Sequence, residues 1–167
     1  MSVIGALLLL LFSAAVKQYG ALSIAQPQDS RQSQVIRIID GDTIQAKTNG
    51  KVETIRLIGI NTPETVDPRR PVECFGKEAS EKTKELLNDK TVKIETDPSQ
   101  DMRDKYGRLL AYIFLEDGTN INKKLIEEGY AYEYTHERPY QYQIEFKQAQ
   151  KQAEEAERGL WVPGVCK

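Results

Sequence analysis

The chain has 167 residues, 40% of them hydrophobic, and a formal charge of -2. That length and apolar content suit one domain with a real core. The acidic balance argues against a protein that holds nucleic acid by overall charge, so any attraction to phosphate must be local.

The run from Ser2 to Val16 is uncharged. It is short for a membrane span and suits the apolar segment of an export signal. Ser23 and Ala25 supply small residues ahead of a cut before Gln26, although no basic residue precedes the run and Lys17 interrupts the path to the cut. Residues 1–25 are therefore read as a signal peptide, with an uncleaved N-terminal anchor as the alternative; only in the second case does the protein contact a membrane. The polar, Gln-rich residues 26–33 read as a tether, which disfavours a buried core helix for the leader. Residues 34–167 read as the folded domain of an exported protein: secreted, periplasmic or at the cell surface. Cys74 and Cys166 are the two cysteines, and such a compartment permits a disulfide between them. The alternative is two unpaired thiols.

A short β-branched run from Gln34 to Asp40 and the alternation from Thr43 to Thr48 both predict strands. Asn49-Gly50 signals a hairpin, because both central positions of such a turn need positive φ. A third strand continues through Arg56-Leu57-Ile58-Gly59-Ile60, with Gly59 marking a bend, and Asn61-Thr62-Pro63-Glu64 ends it because Pro63 cannot donate to a ladder. Thr65 to Glu73 is a loop with Pro68 and Pro71 around Arg69 and Arg70. A helix is expected over Phe75 to Asn88, a strand over Thr91 to Thr96, a polar loop over Asp97 to Gly107 and a fifth strand over Arg108 to Leu115. Asn120 caps a short helix to Glu128 that Gly129 stops. Tyr130, Tyr132 and Tyr134 alternate along an extended edge. The last helix, Tyr140 to Arg158, carries Phe146, Ala149, Ala153 and Ala156 on one stripe, and Trp161 follows as a core plug. These elements compose a five-stranded antiparallel, meander-type β-barrel with three packed α-helices, an α+β arrangement compatible with an OB-fold.

The hairpin is expected to bring Asp42, at the start of one strand, against Asn61, at the end of the next. Asp40, Asp42, Glu64 and the Asn61 amide oxygen would then form an oxygen cluster suited to Ca²⁺, although an Asp beside Gly is ordinarily a turn former. No His or Cys cluster competes for zinc. Arg56 and Arg108 are either ordinary solvent-facing strand arginines or a clamp for phosphate oxygens. With Glu64 as general base or water orienter, the clamp reading meets the needs of phosphodiester hydrolysis. Lys105, Arg103 and Arg108, with Arg69 and Arg70 on the other loop, outline a local basic rim. His136 is given no role.

IDGDT, IRLIGINTPET, CFGKEAS, DKYGRLLAYIF and GLW, in that order from about Val35 to Trp161, resemble the staphylococcal nuclease (thermonuclease) family. The resemblance implies an OB-fold and a Ca²⁺-dependent endonuclease that hydrolyses DNA and RNA with release of 5′-hydroxyl ends. It implies Asp42 and the Thr62 carbonyl as Ca²⁺ ligands, Asp40 as an outer carboxylate, Glu64 as base, and Arg56 and Arg108 on the phosphate. Lys105 and Tyr106 would touch nucleotide phosphate, and Tyr132 or Tyr134 would stack on a base. Asn61 departs from the family, which has a second metal-binding aspartate there, so weaker Ca²⁺ binding is expected. The chain is expected to be monomeric. The rival functions are a non-catalytic or weakly catalytic nucleic-acid-binding barrel, which retention of Asp42, Arg56, Glu64 and Arg108 speaks against, and an oligosaccharide-binding barrel, for which only the Tyr132/Tyr134 pair speaks.

Overall fold

The computed structural model describes residues 32–69 and 71–166; the leader, most of the tether and Arg70 lie outside them. Strand β1 (Gln32–Asp40) begins two residues before the expected domain start, its first residues paired with β5 (Thr91–Glu95). It alternates Ser33 and Val35 inward, then twists through two register shifts against β2 (Thr43–Thr48). Such bulges sharpen the twist that lets a short sheet close. The β2–β3 turn has Asn49 at φ 50° and Gly50 at φ 81°, the geometry the Asn-Gly pair predicts. Strand β3 (Lys51–Leu57) pairs with β2 from Lys51 to Arg56.

The remaining seams correct the antiparallel meander. Strand β6 (Leu109–Phe114) lies antiparallel to β5 but parallel to β3, giving a closed barrel in the order β1-β2-β3-β6-β5. The parallel seam arises because α1 (Gly76–Leu87) and β5 intervene between β3 and β6, so the chain crosses over before it returns. Val35, Ile44, Ala46, Ile55, Leu57, Val92, Ala111 and Ile113 form the barrel interior.

After Leu57 the chain leaves the barrel wall. Gly59 has φ +76°, and a Cβ there would fall 2.6 Å from the Tyr140 ring and 2.9 Å from Phe146, so only glycine allows the bend to nest against α3 (Gln143–Glu155). The expected third strand therefore ends early. Ile60–Asn61 is a separate strand, β4, paired with β7 (Tyr132–Glu133). The extended tyrosine edge reduces to β7, with Tyr130 left in the preceding turn.

Helix α2 (Ile121–Glu127) starts at Asn120, whose side chain accepts from Lys123 N–H. Phe146, Ala149 and Ala153 of α3 are buried; Ala156 lies past the helix end and is exposed. Trp161, in the 3₁₀ turn Gly159–Trp161, is not the plug: Leu160 fills the core and Trp161 sits half-buried, edge-on to Tyr132 with ring centroids 5.4 Å apart. Cys74 and Cys166 form a disulfide with Cα atoms 5.7 Å apart. Closing a loop with ends 92 residues apart is worth about 4 to 5 kcal/mol in the chain-entropy model.

Candidate active site

The β1–β2 turn carries Asp40, Gly41 and Asp42, and α1 holds it in place through the Thr83 hydroxyl, which donates to the Gly41 carbonyl at 2.7 Å. Asp42 Oδ2 accepts from Thr62 N–H at 3.1 Å and pairs with Arg56 Nη2 at 3.0 Å, while Oδ1 accepts from the Thr43 hydroxyl. Arg56 Nη1 donates to the carbonyls of Leu57 and Ile60 at 2.8 and 2.9 Å, and Nη2 also reaches Asn61 Oδ1 at 3.3 Å. Asp42, Asn61 and Thr62 thus gather around one guanidinium. The route differs from the simple hairpin: Asn61 does not end β3 but lies on β4, folded back by the Gly59 bend.

Asp40 stands behind this group. Its carboxylate accepts from Gly41 N–H at 2.9 Å and the Thr65 hydroxyl at 2.7 Å, and it also bonds to the Glu64 carboxyl. Burial, and then the neighbouring Asp42 and Glu64 carboxylates, push Asp40 above its ordinary value despite those donors. For Glu64, burial acts upward but is outweighed by the Val66 N–H, the Asp40 bond and the N–H groups of Asp67 and Thr65, which hold it below the usual range. Of the two, Asp40 is the first to take up a proton as pH falls, and Glu64 holds its charge longer.

The β5–β6 loop supplies Arg108. Its Nε donates to Asp104 Oδ2 at 2.6 Å, its own N–H donates to Asp104 Oδ1, and its guanidinium lies over the Tyr106 ring at 5.4 Å. Asp104 escaped the sequence reading, although an acid four residues before an arginine in a Gly-containing turn was the available signal. Lys105 Nζ lies over the same ring at 5.1 Å, and Tyr106 is 72% exposed. The rim is only partly free for binding: Arg69 is turned onto Asp67, bonding both of its carboxylate oxygens, and Arg103 pairs with Glu53.

Tyr132 faces Asn61 across the β4–β7 pairing. Tyr134 is exposed, stacks on His136 and bonds its Nδ1 at 3.1 Å. The register puts Tyr132 beside the acid-amide cluster and Tyr134 next to it on the same edge.

Among the described residues no group of three or more His, Cys, Asp and Glu side chains is arranged to hold a metal ion. The donors at the bend still fit Ca²⁺ in type, since the Asp42 carboxylate, the Asn61 amide oxygen and the Thr62 carbonyl are hard oxygens. The buried Thr62 hydroxyl oxygen has no hydrogen-bond partner, an uncommitted polar group on the residue whose carbonyl belongs to this set. Asp42 is the single carboxylate in that set.

A family model described as a staphylococcal nuclease homologue matches residues 54–163, which includes the bend, Glu64 and the Arg108 loop. The chain belongs to the staphylococcal nuclease family. It is 45% identical over 127 residues to a thermonuclease of Staphylococcus hyicus, covering 76% of this chain and 73% of that one. It is also 44% identical to a thermonuclease of Staphylococcus intermedius, covering 76% and 74%. The endonuclease YncB of Bacillus subtilis is 40% identical over 75% of this chain and 59% of its own length. The closed five-stranded barrel with three helices is the fold of this family, and the chain is a nuclease of the hydrolase class.

Proposed function

We propose that this staphylococcal nuclease homologue is a Ca²⁺-dependent endonuclease that hydrolyses phosphodiester bonds of DNA and RNA and releases 5′-hydroxyl ends. The observation that carries the reading is the convergence at the β3–β4 bend: Asp42 and Asn61 both meet Arg56 Nη2, and Glu64 bonds to the neighbouring Asp40. Asp42, Asn61 and the Thr62 carbonyl would hold the ion, with Asp40 as the outer carboxylate, and the ion would supply neutralisation of phosphate charge and a more acidic water. Glu64, charged and aimed by backbone N–H groups, takes a proton from the attacking water. Water oxygen bonds to phosphorus as the bond to the 5′-oxygen breaks, and the leaving oxygen takes a proton from solvent to become the 5′-hydroxyl.

Arg108 presents its guanidinium to the phosphate, braced by Asp104 and stacked on Tyr106. Arg56 contributes through Nη2, whose 3.3 Å contact to Asn61 is the longest of its bonds and the one a phosphate oxygen displaces. Lys105 and Tyr106 line the phosphate approach, and Tyr132 and Tyr134 offer ring faces to bases. The protein acts as a monomer and is exported, a location that accords with its disulfide.

The test is nicking of single- and double-stranded substrate across a Ca²⁺ titration with chelator controls. Glu64→Ala and Arg108→Ala should each reduce kcat by about a hundredfold or more, with unchanged melting curves. Full activity in chelator removes the metal assignment, and full activity in either variant removes that residue's role.

A further inference from the structure

We infer that Glu73 is a positioning residue for Glu64, and that the Cys74–Cys166 disulfide anchors it in that task. The inference rests on the reading of Glu64 as the catalytic carboxylate.

The loop after Glu64 leaves the site and returns at Glu73, where the Glu73 backbone and side chain clasp the Glu64 backbone. Glu64 N–H donates to Glu73 Oε2 at 3.0 Å, and Glu73 N–H donates to the Glu64 carbonyl at 2.9 Å. The pairing fixes both peptide groups of Glu64, and so fixes where its Cα–Cβ bond points. Downstream the chain is packed directly under the same segment. A Cβ on Gly76 would fall 2.7 Å from Thr65 Cγ2, 3.0 Å from the Pro63 carbonyl oxygen and 3.2 Å from that of Glu64. Between these two contacts, Phe75 adopts a left-handed backbone, φ 67°, a conformation that persists only where its surroundings hold it.

The covalent anchor sits inside this four-residue run. Cys74 follows Glu73 and is bonded to Cys166, beyond the last helix and the Gly159–Trp161 turn. Glu73 is exposed, and an exposed clasp alone frays readily. Tying the neighbouring residue to a distant part of the fold removes that freedom. Catalysis is sensitive to such placement, since a displacement of about 1 Å at the reacting group can cost roughly a hundredfold in rate.

The experiment compares wild type, Glu73→Ala, Glu73→Gln, the Cys74→Ser/Cys166→Ser double variant and Glu64→Ala, all well below their melting temperatures. Wild type is also assayed after reduction by a dithiol. In that step the dithiol loses two electrons and two protons to become a cyclic disulfide, and Cys74 and Cys166 become two thiols. Glu73→Ala should lower kcat about tenfold to a hundredfold with KM within roughly twofold, and amide exchange at Glu64 should accelerate. Glu73→Gln keeps an acceptor oxygen and should recover most of kcat. The double Ser variant and the reduced protein should lower kcat in the same direction. Wild-type kcat and Glu64 exchange in Glu73→Ala, or a loss confined to KM, overturn the inference. If Glu64→Ala is inactive while Glu73→Ala and the double Ser variant match wild type, the positioning inference alone fails; if Glu64→Ala is itself active, the reading of Glu64 fails.

Discussion

Asn61 places an amide among charges. Its oxygen meets Arg56 Nη2 at 3.3 Å, and Asp42 meets the same nitrogen at 3.0 Å, so the guanidinium already balances the one carboxylate beside the proposed ion. Asn61→Asp restores a second negative donor and should lower the Ca²⁺ concentration for half-maximal cleavage by about tenfold, because ligand charge count tunes affinity; calorimetric titration of Ca²⁺ without substrate should shift the same way. An unchanged midpoint in both measurements would show that Asn61 is not a ligand. Asp42, Asn61 and Glu64 were legible as a cluster because their chemistry is carried by residue type. Glu73 was not, because a glutamate nine residues downstream enters the site only through a loop that returns.

Helix α2 illustrates an element whose task the pattern of apolar residues hides. Asn122, on its buried face and fully enclosed, accepts from Ile113 N–H at 3.0 Å and donates to the Ile58 carbonyl at 2.9 Å and that of Ala111 at 3.3 Å. It closes the gap where β3 ends and the chain turns toward β4. Asn122→Ala should strip the Ile113 N–H and the Ile58 carbonyl of this partner, while the Ala111 carbonyl keeps the Ile58 N–H at 3.0 Å, and should cost about 3 kcal/mol, measured by urea unfolding. A loss below roughly 1 kcal/mol would mean that water replaces the amide. The helices and most strands were readable from period and punctuation. The break at Leu57 was not, because Ile58 and Ile60 continue an apolar strand pattern, and only packing of Gly59 under Tyr140 ends it.

At the scale of the whole molecule, buried Asp97 joins the barrel to the turn that leads into α3. It accepts from Tyr112 Oη at 2.6 Å, Gln141 N–H at 2.7 Å and Ser99. Burial acts to raise its pKa, but the Gln141, Tyr112 and Ser99 donors together outweigh it and hold Asp97 below its ordinary value. A lowered folded pKa means stability that is complete above the unfolded value, about 3.9, and is lost as pH falls through the folded one. Asp97→Asn should therefore be less stable than wild type at pH 7, with the gap narrowing as pH falls below about 4. Urea midpoints at the two pH values check it, and a gap independent of pH would assign the loss to packing alone. At the alkaline end the sign reverses. Tyr142, pushed up to about 12 by burial and its bond to Glu95, contributes stability that is full below the ordinary tyrosine value, about 10, and fades as pH climbs through the folded one.

The sequence by itself determined the helices and most strands, the Asn-Gly turn, the Asn120 cap and the residue types of the site, because each depends on neighbours a few positions apart. It also carried the family, through motifs spread from about Val35 to Trp161. Only the tertiary structure decided the parallel β3–β6 seam, the transfer of Asn61 to β4, the half-buried setting of Trp161, the Cys74–Cys166 bond and the clasp of Glu73 on Glu64. These depend on where distant segments meet, and the burial energy that brings them together belongs to the closed barrel and to no local stretch of chain.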